Sequence, residues 1–117
     1  MGLIKSYKEL EIWKKGIELS ELIYDITKEF PSEEKFGLVS QMRRCAISFP
    51  SNIAEGSARN SYKEFIQFLY VAQGSLSELE TQLILAKRLH YIKDDLQKTI
   101  EDLKRQTNSY IKYLKTK

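Results

Sequence analysis

A single cysteine, Cys45, and a single histidine, His90, set the limits on the chemistry this chain can do. One thiol forms no internal disulfide, no CxxC pair and no thiolate metal cluster. One imidazole leaves no histidine pair for a metal and makes a nucleophilic triad implausible. Cys45 falls on an apolar helical stripe and reads as a small core residue. His90 falls near a helix end and reads as a helix-end or interhelix hydrogen-bond partner. Glu55 is the one carboxylate that a catalytic cleft would use as base, and it has no nucleophile, histidine or metal set near it. The chain therefore reads as a non-enzyme with no cofactor and no metal. What remains is charge: Arg43, Arg59, Lys63, Lys104, Arg105, Lys112 and Lys115 are the candidate phosphate contacts, with Tyr113 as a stacking partner.

The sum of charges is modest, 19 basic against 16 acidic residues for a net +3, well short of a dedicated nucleic-acid binder. Its distribution is uneven. From Leu103 onward there are Lys104, Arg105, Lys112, Lys115 and Lys117 and no acid, so the preceding part carries a slight negative excess. Cations at a helix C-terminus and phosphate contact both account for such a cluster. With 117 residues, 42% hydrophobic and 30% charged, the composition is that of one ordinary globular domain, residues 1–117. Only two prolines and five glycines are present, too few for the turns of an all-β chain. No apolar run spans a bilayer and the first residues lack an apolar signal segment, so the expectation is a soluble, cytoplasmic protein with no membrane partner.

Four helices must position these groups. Ser6-x-x-Glu9 and Ser61-x-x-Glu64 have capping-box spacing, Asp94-x-x-Gln97 is a close variant, and Phe30-Pro31-Ser32 breaks the chain. The spacing predicts helices over about 7–29, 34–58, 62–91 and 95–115. Pro50 is expected to kink the second helix rather than split it, because the apolar spacing continues through it. Short connections predict an all-α, antiparallel up-down-up-down four-helix bundle.

Two of the helices are apolar on more than one side. In the first, Leu10, Trp13, Ile17 and Tyr24 form one stripe and Ile12, Leu19, Ile23, Ile26 and Phe30 another. In the third, the Phe65–Leu83 core face is flanked by Ile66, Tyr70 and Ile84 on one side and Val71, Leu85 and Leu89 on the other. The fourth has one stripe, Leu96, Ile100, Leu103, Tyr110, Ile111 and Leu114, opposite Lys98, Glu101, Arg105 and Lys112. A lone bundle has one inside, so the double faces predict a homo-oligomer. Polar residues also keep register: Gln41, Ser48, Asn52 and Glu55 on the second helix, and Ser75, Glu78 and Gln82 on the third. They predict a hydrogen-bonded seam between these helices, with Asn52 bridging and Arg44 pairing with Glu55 or Glu78.

The residues Phe36-Gly37-Leu38, Gln41, Arg43-Arg44, Ser48 and the run Pro50-Ser51-Asn52-Ile53-Ala54-Glu55-Gly56 resemble the signature of the bacterial 23S ribosomal RNA intervening-sequence proteins. Lys63-Glu64-Phe65, Phe68-Leu69, Ala72, Gly74-Ser75 and Glu78-Leu79-Glu80-Thr81-Gln82-Leu83 continue the likeness, and Leu10-Glu11-Ile12-Trp13-Lys14 is similar to the family's opening motif. The resemblance covers about residues 8–90; the last helix fits by pattern. It implies a four-helix bundle in a ring-like homopentamer, and no enzyme. A related branch is similar to the accessory variability determinants of diversity-generating retroelements, basic pentamers that associate with a reverse transcriptase and nucleic acid. The net +3 departs from that branch. Two readings follow: an oligomer associated with RNA or DNA, in which several copies add their charge, and a scaffold or accessory subunit whose partner is another protein.

Overall fold

A computed structural model describes residues 3–117; residues 1 and 2, which the single-domain reading includes, lie outside it. The described residues form four α-helices and no strand: α1 (Glu11–Thr27), α2 (Leu38–Ser57), α3 (Tyr62–Arg88) and α4 (Gln97–Leu114). Successive helices pack on one another and α4 also packs on α1, in a body of 46 × 23 × 20 Å. Phe49, Phe65, Ile23, Met42, Ile53, Leu69, Leu76 and Leu79 are almost fully withdrawn from solvent, and α4 closes the core with Ile100, Leu103, Ile111 and Leu114.

Helix starts depart from the expectation. Ser6 caps only a one-turn 3-10 helix, Tyr7–Glu9, by accepting from the Lys8 N–H, and Leu10 is extended before α1 begins. Residues 34–37 do not belong to α2. Glu34 ends a second 3-10 turn and its carboxylate accepts from the Leu38 N–H at 3.3 Å, capping α2 from outside. A carboxylate suits that position because it neutralises orphan N–H groups at the positive end of the helix. At α3 the box spacing is realised on one side, Ser61 Oγ accepting from the Glu64 N–H at 3.2 Å. At α4 the capping acid is Asp95, not Asp94: its Oδ1 accepts from the Gln97 N–H at 2.9 Å. Helix α2 runs unbroken through Pro50.

The end of α3 explains His90. Its φ is +64°, left-handed, while the Tyr91 N–H reaches the Ala86 carbonyl and the His90 N–H that of Lys87. That pair of bonds is a Schellman motif, which stops a helix by satisfying its last carbonyls. Tyr91 then packs against Phe30 and donates its hydroxyl to Glu34 at 2.8 Å, fastening this turn to the one before α2.

Interhelix contacts are set by small residues and back-bonded hydroxyls. Gly16 lies against Phe49 and Pro50, so closely that a Cβ there would stand 2.7 Å from Phe49 Cδ2. Gly56 lies against Phe65 and Phe68, where a Cβ would stand 2.6 Å from Phe68 Cβ. Ser20 Oγ serves both the Gly16 carbonyl of its own helix and, at 3.1 Å, the Ala46 carbonyl of α2. Buried Thr107, absent from the expected α4 stripe, returns its hydroxyl to the Leu103 carbonyl at 2.8 Å and so presents only its methyl to the core.

Of the double faces, the Ile12/Leu19/Ile23/Phe30 stripe of α1 is buried, while Ile17 and Tyr24 of the other stripe stay exposed. Along α3, Ile66 joins the core, contrary to its flank assignment, whereas Tyr70, Val71, Ile84, Leu85 and Leu89 remain exposed. Phe36, in the turn before α2, is 89% exposed.

Candidate nucleic-acid interface

The seam between α2 and α3 is tighter and shorter than the sequence pattern suggests. Its bridge is a serine pair: Ser75 Oγ donates to Ser48 Oγ at 2.8 Å. Asn52 does not cross to α3. Its amide donates back to the Ser48 carbonyl and hydroxyl, one turn earlier on its own helix, because that turn lies within reach of so short a side chain. Lower down, the Cys45 thiol donates to Glu78 and accepts from the Gln82 amide, both at 3.5 Å. Burial pushes the thiol pKa up; the Gln82 hydrogen bond offsets part of this, the Glu78 carboxylate adds to the rise, and Arg44 opposes it least. A thiol held protonated in this way is a poor nucleophile. Gln41, Arg44, Glu55 and Glu78 lie on the exposed rim. Among the described residues Arg44 forms no ion pair with Glu55 or Glu78; Arg59, just past the C-cap of α2, takes the Glu55 carboxylate at 3.3 Å.

The candidate cations separate into two groups. Arg43 is a clamp: its guanidinium donates to Thr27 Oγ1 at 2.9 Å and to the Tyr24 carbonyl, and lies 4.5 Å above the Tyr24 ring. Arg59 pairs with Glu55 and lies over Phe68. Lys104 meets Glu80 at 2.9 Å in a half-buried pair, and its carbonyl accepts from Gln73, so this residue fixes α4 on α3. Arg105 pairs with Asp102, its neighbour one turn back. These four hold the bundle together or are neutralised by their neighbours. Lys63, Lys112 and Lys115 are exposed and take part in no ion pair among the described residues.

Packing places Lys63 and Lys115 on one groove. The start of α3 and the end of α4 form its walls, with Tyr62, Lys63 and Tyr70 from the first and Leu114, Lys115 and Lys117 from the second. Its volume is about 450 Å³, and no Asp or Glu side chain is among its lining residues. The ammonium of Lys115 stands 5.6 Å from the centre of the Tyr70 ring, and that of Lys117 stands 4.7 Å from the centre of Tyr113. Tyr113 raises the Lys117 pKa, first by its hydrogen bond. Lys112, one turn before Lys115, adds a further charge on α4. Tyr62, Tyr70 and Lys117 were not among the contacts expected from the sequence, where Tyr70 counted as an apolar flank of the third helix and Lys117 as part of the basic run. Pairing the start of one helix with the end of the next was the available signal.

A family model for the 23S rRNA-intervening sequence protein matches residues 8–115, nearly the whole described chain. The chain belongs to the 23S rRNA-intervening sequence protein family. A solved structure shares the fold at a TM-score of 0.62 and 24% identity, over 88% of this chain and 94% of that one: a protein of unknown function from the S23 ribosomal protein family of Bacteroides thetaiotaomicron. No curated protein was found to match. Within this 23S rRNA-intervening sequence protein, the Pro50–Gly56 run is architectural. Pro50 and Ile53 are buried, Gly56 admits Phe65 and Phe68, Asn52 bonds within α2 and Glu55 holds Arg59. None of these residues reaches the basic groove.

Proposed function

We propose that this family member is a non-enzymatic, nucleic-acid-binding protein that works as an oligomer of antiparallel up-down-up-down bundles. The observation that carries the reading is the groove between α3 and α4, which gathers three lysines and no Asp or Glu side chain. Phosphate is the natural occupant of such a surface, since each contact releases condensed counterions. The order of interhelix contacts supports the antiparallel arrangement: Gly16 meets Phe49 while Thr27 meets Arg43, and Cys45 meets Gln82 while Gly56 meets Phe65. Exposed Ile17, Val71, Ile84, Leu85 and Leu89 support self-association, and five copies is the number the family resemblance implies. A pentamer would carry about +15 and present five grooves, turning a weak site into a useful one by avidity.

Light scattering and fluorescence anisotropy test this together. The mass should be several times 13.7 kDa. Structured RNA, single strands and duplex DNA should show binding at low salt that weakens steeply as salt rises. Replacing Lys63, Lys112 and Lys115 with Gln should keep helicity and mass and lower the salt slope. A monodisperse monomer overturns the oligomer. Failure to bind any of these nucleic acids at low salt overturns the nucleic-acid reading in favour of a protein scaffold.

A further inference from the structure

We infer that the α3–α4 groove, together with the Tyr113 ring beside its Lys117, takes unpaired nucleic acid, stacking bases on Tyr70 and Tyr113 while Lys63, Lys115 and Lys117 hold the phosphates. This rests on the nucleic-acid reading above and specifies the strand state it selects. A purely electrostatic duplex contact needs only charge, and this groove supplies more. Tyr62 and Tyr70 both line it, about 12 Å apart along the helix axis by the rise of eight residues. Tyr70 is 43% exposed and Tyr113 53% exposed, so both rings are open to solvent and a base can stack on either as its lysine turns to the phosphate. Both rings already hold a cation nearby, Lys115 and Lys117 respectively, so base and phosphate sites alternate.

Tyr113 is also braced. Tyr110 stacks beneath it, centroids 6.1 Å apart and planes 29° apart, which holds the exposed ring in place before any ligand arrives. Tyr113 also lines a second groove of about 430 Å³ with Leu10, Glu11, Arg105, Ser109 and Tyr110. Lys117 lines the first groove and reaches the Tyr113 ring, so the two grooves meet at this pair. The result is a track that runs past several rings and cations around the end of α4. A duplex keeps its base faces inside its own stack, leaving the tyrosines nothing to contact; a single strand offers both base and phosphate. Ring stacking and phosphate contact are common to all bases, so the expected selectivity is for strand state and not for sequence.

The test is anisotropy of the full chain with fluorescein-labelled oligo(U), oligo(dT) and a hairpin duplex, each of about twelve nucleotides per strand, from low to physiological salt. Both single strands should bind at least tenfold more tightly than the hairpin. Tyr70→Leu and Tyr113→Leu should each weaken single-strand binding roughly tenfold with an unchanged salt slope, and Tyr70→Phe should restore it. Replacing Lys63, Lys115 and Lys117 with Gln should reduce the slope by about two, at about 0.7 for each phosphate left without its lysine. Circular dichroism and mass should match the unsubstituted protein throughout. Equal or tighter hairpin binding, or indifference to both leucine variants, overturns the stacking inference and leaves the nucleic-acid reading standing. Absence of binding to all three probes at low salt overturns both.

Discussion

Two glycines in adjoining helices should respond to alanine in opposite directions. Alanine in a helix interior is favoured over glycine by about 0.8–1 kcal/mol, whatever the site. At Gly74, a Cβ would meet nothing within 4 Å, so the full gain should appear. At Gly56, it would stand 2.6 Å from Phe68 Cβ and 3.0 Å from Phe65 Cδ1. A Cβ cannot swing aside as a side-chain tip can, so α2 and α3 must part or the phenylalanines shift. Overpacking of this kind costs about 1–3 kcal/mol, and the upper half of that range applies here. Net of propensity, Gly56→Ala should lose about 1–2 kcal/mol. Unfolding entropy of about 2.1 cal/mol/K per residue over 117 residues makes 1 kcal/mol worth roughly 4 °C. Melts at one fixed protomer concentration should therefore raise Tm by about 3–4 °C for Gly74→Ala and lower it by about 4–8 °C for Gly56→Ala. An unchanged or raised Tm for Gly56→Ala would refute the close crossing of α2 and α3. A lowered Tm for Gly74→Ala would show that this face is covered.

His90→Gly should stabilise the protein by about 0.5–1 kcal/mol in urea melts, because φ of +64° strains an L-residue and glycine adopts it freely; a loss would refute the Schellman reading. Tyr110 tests the interior by pH. Burial, with smaller contributions from Tyr113 and Tyr62, pushes its pKa up to about 12. A raised acid stabilises the fold in full below pH 10, its unfolded value, and this stability is lost as pH rises through 12. Discounted for the solvent on its exposed part, the loss is about 1 kcal/mol. Tyr110→Phe should therefore show that much less alkaline destabilisation between pH 10 and 12, and identical pH profiles would refute it.

Helix number and the core stripes were legible because apolar spacing at 3.6 residues is written directly in Ile12/Leu19/Ile23 and in Ile100/Leu103/Ile111/Leu114. Helix starts were not. Ser6-x-x-Glu9 satisfies the same spacing whether an α-helix or a single 3-10 turn follows, and only the extended backbone of Leu10 decides it. Hydroxyls such as Ser20 and Thr107 look polar in sequence but become core residues once their protons return to the carbonyl four residues back. The candidate cations show a similar limit. Charge identifies Arg43 and Lys104 as well as Lys63 and Lys115, yet partners that distinguish clamp from free cation come from other helices: Thr27 and Glu80. The groove itself joins residues 62–70 to residues 114–117, a proximity that only tertiary packing creates.

That separation in sequence has a dynamic consequence. Helix α4, the last of the four described helices, is held to α3 by Lys104 with Glu80 and Gln73, and local opening that peels it away would expose its own stripe of Ile100, Leu103, Ile111 and Leu114 without unfolding α1 to α3. A strand seated between Lys63 on α3 and Lys115 on α4 bridges the two sides of that opening. Occupancy would then slow amide hydrogen exchange along the whole of α4, including turns near Gln97 that no ligand touches.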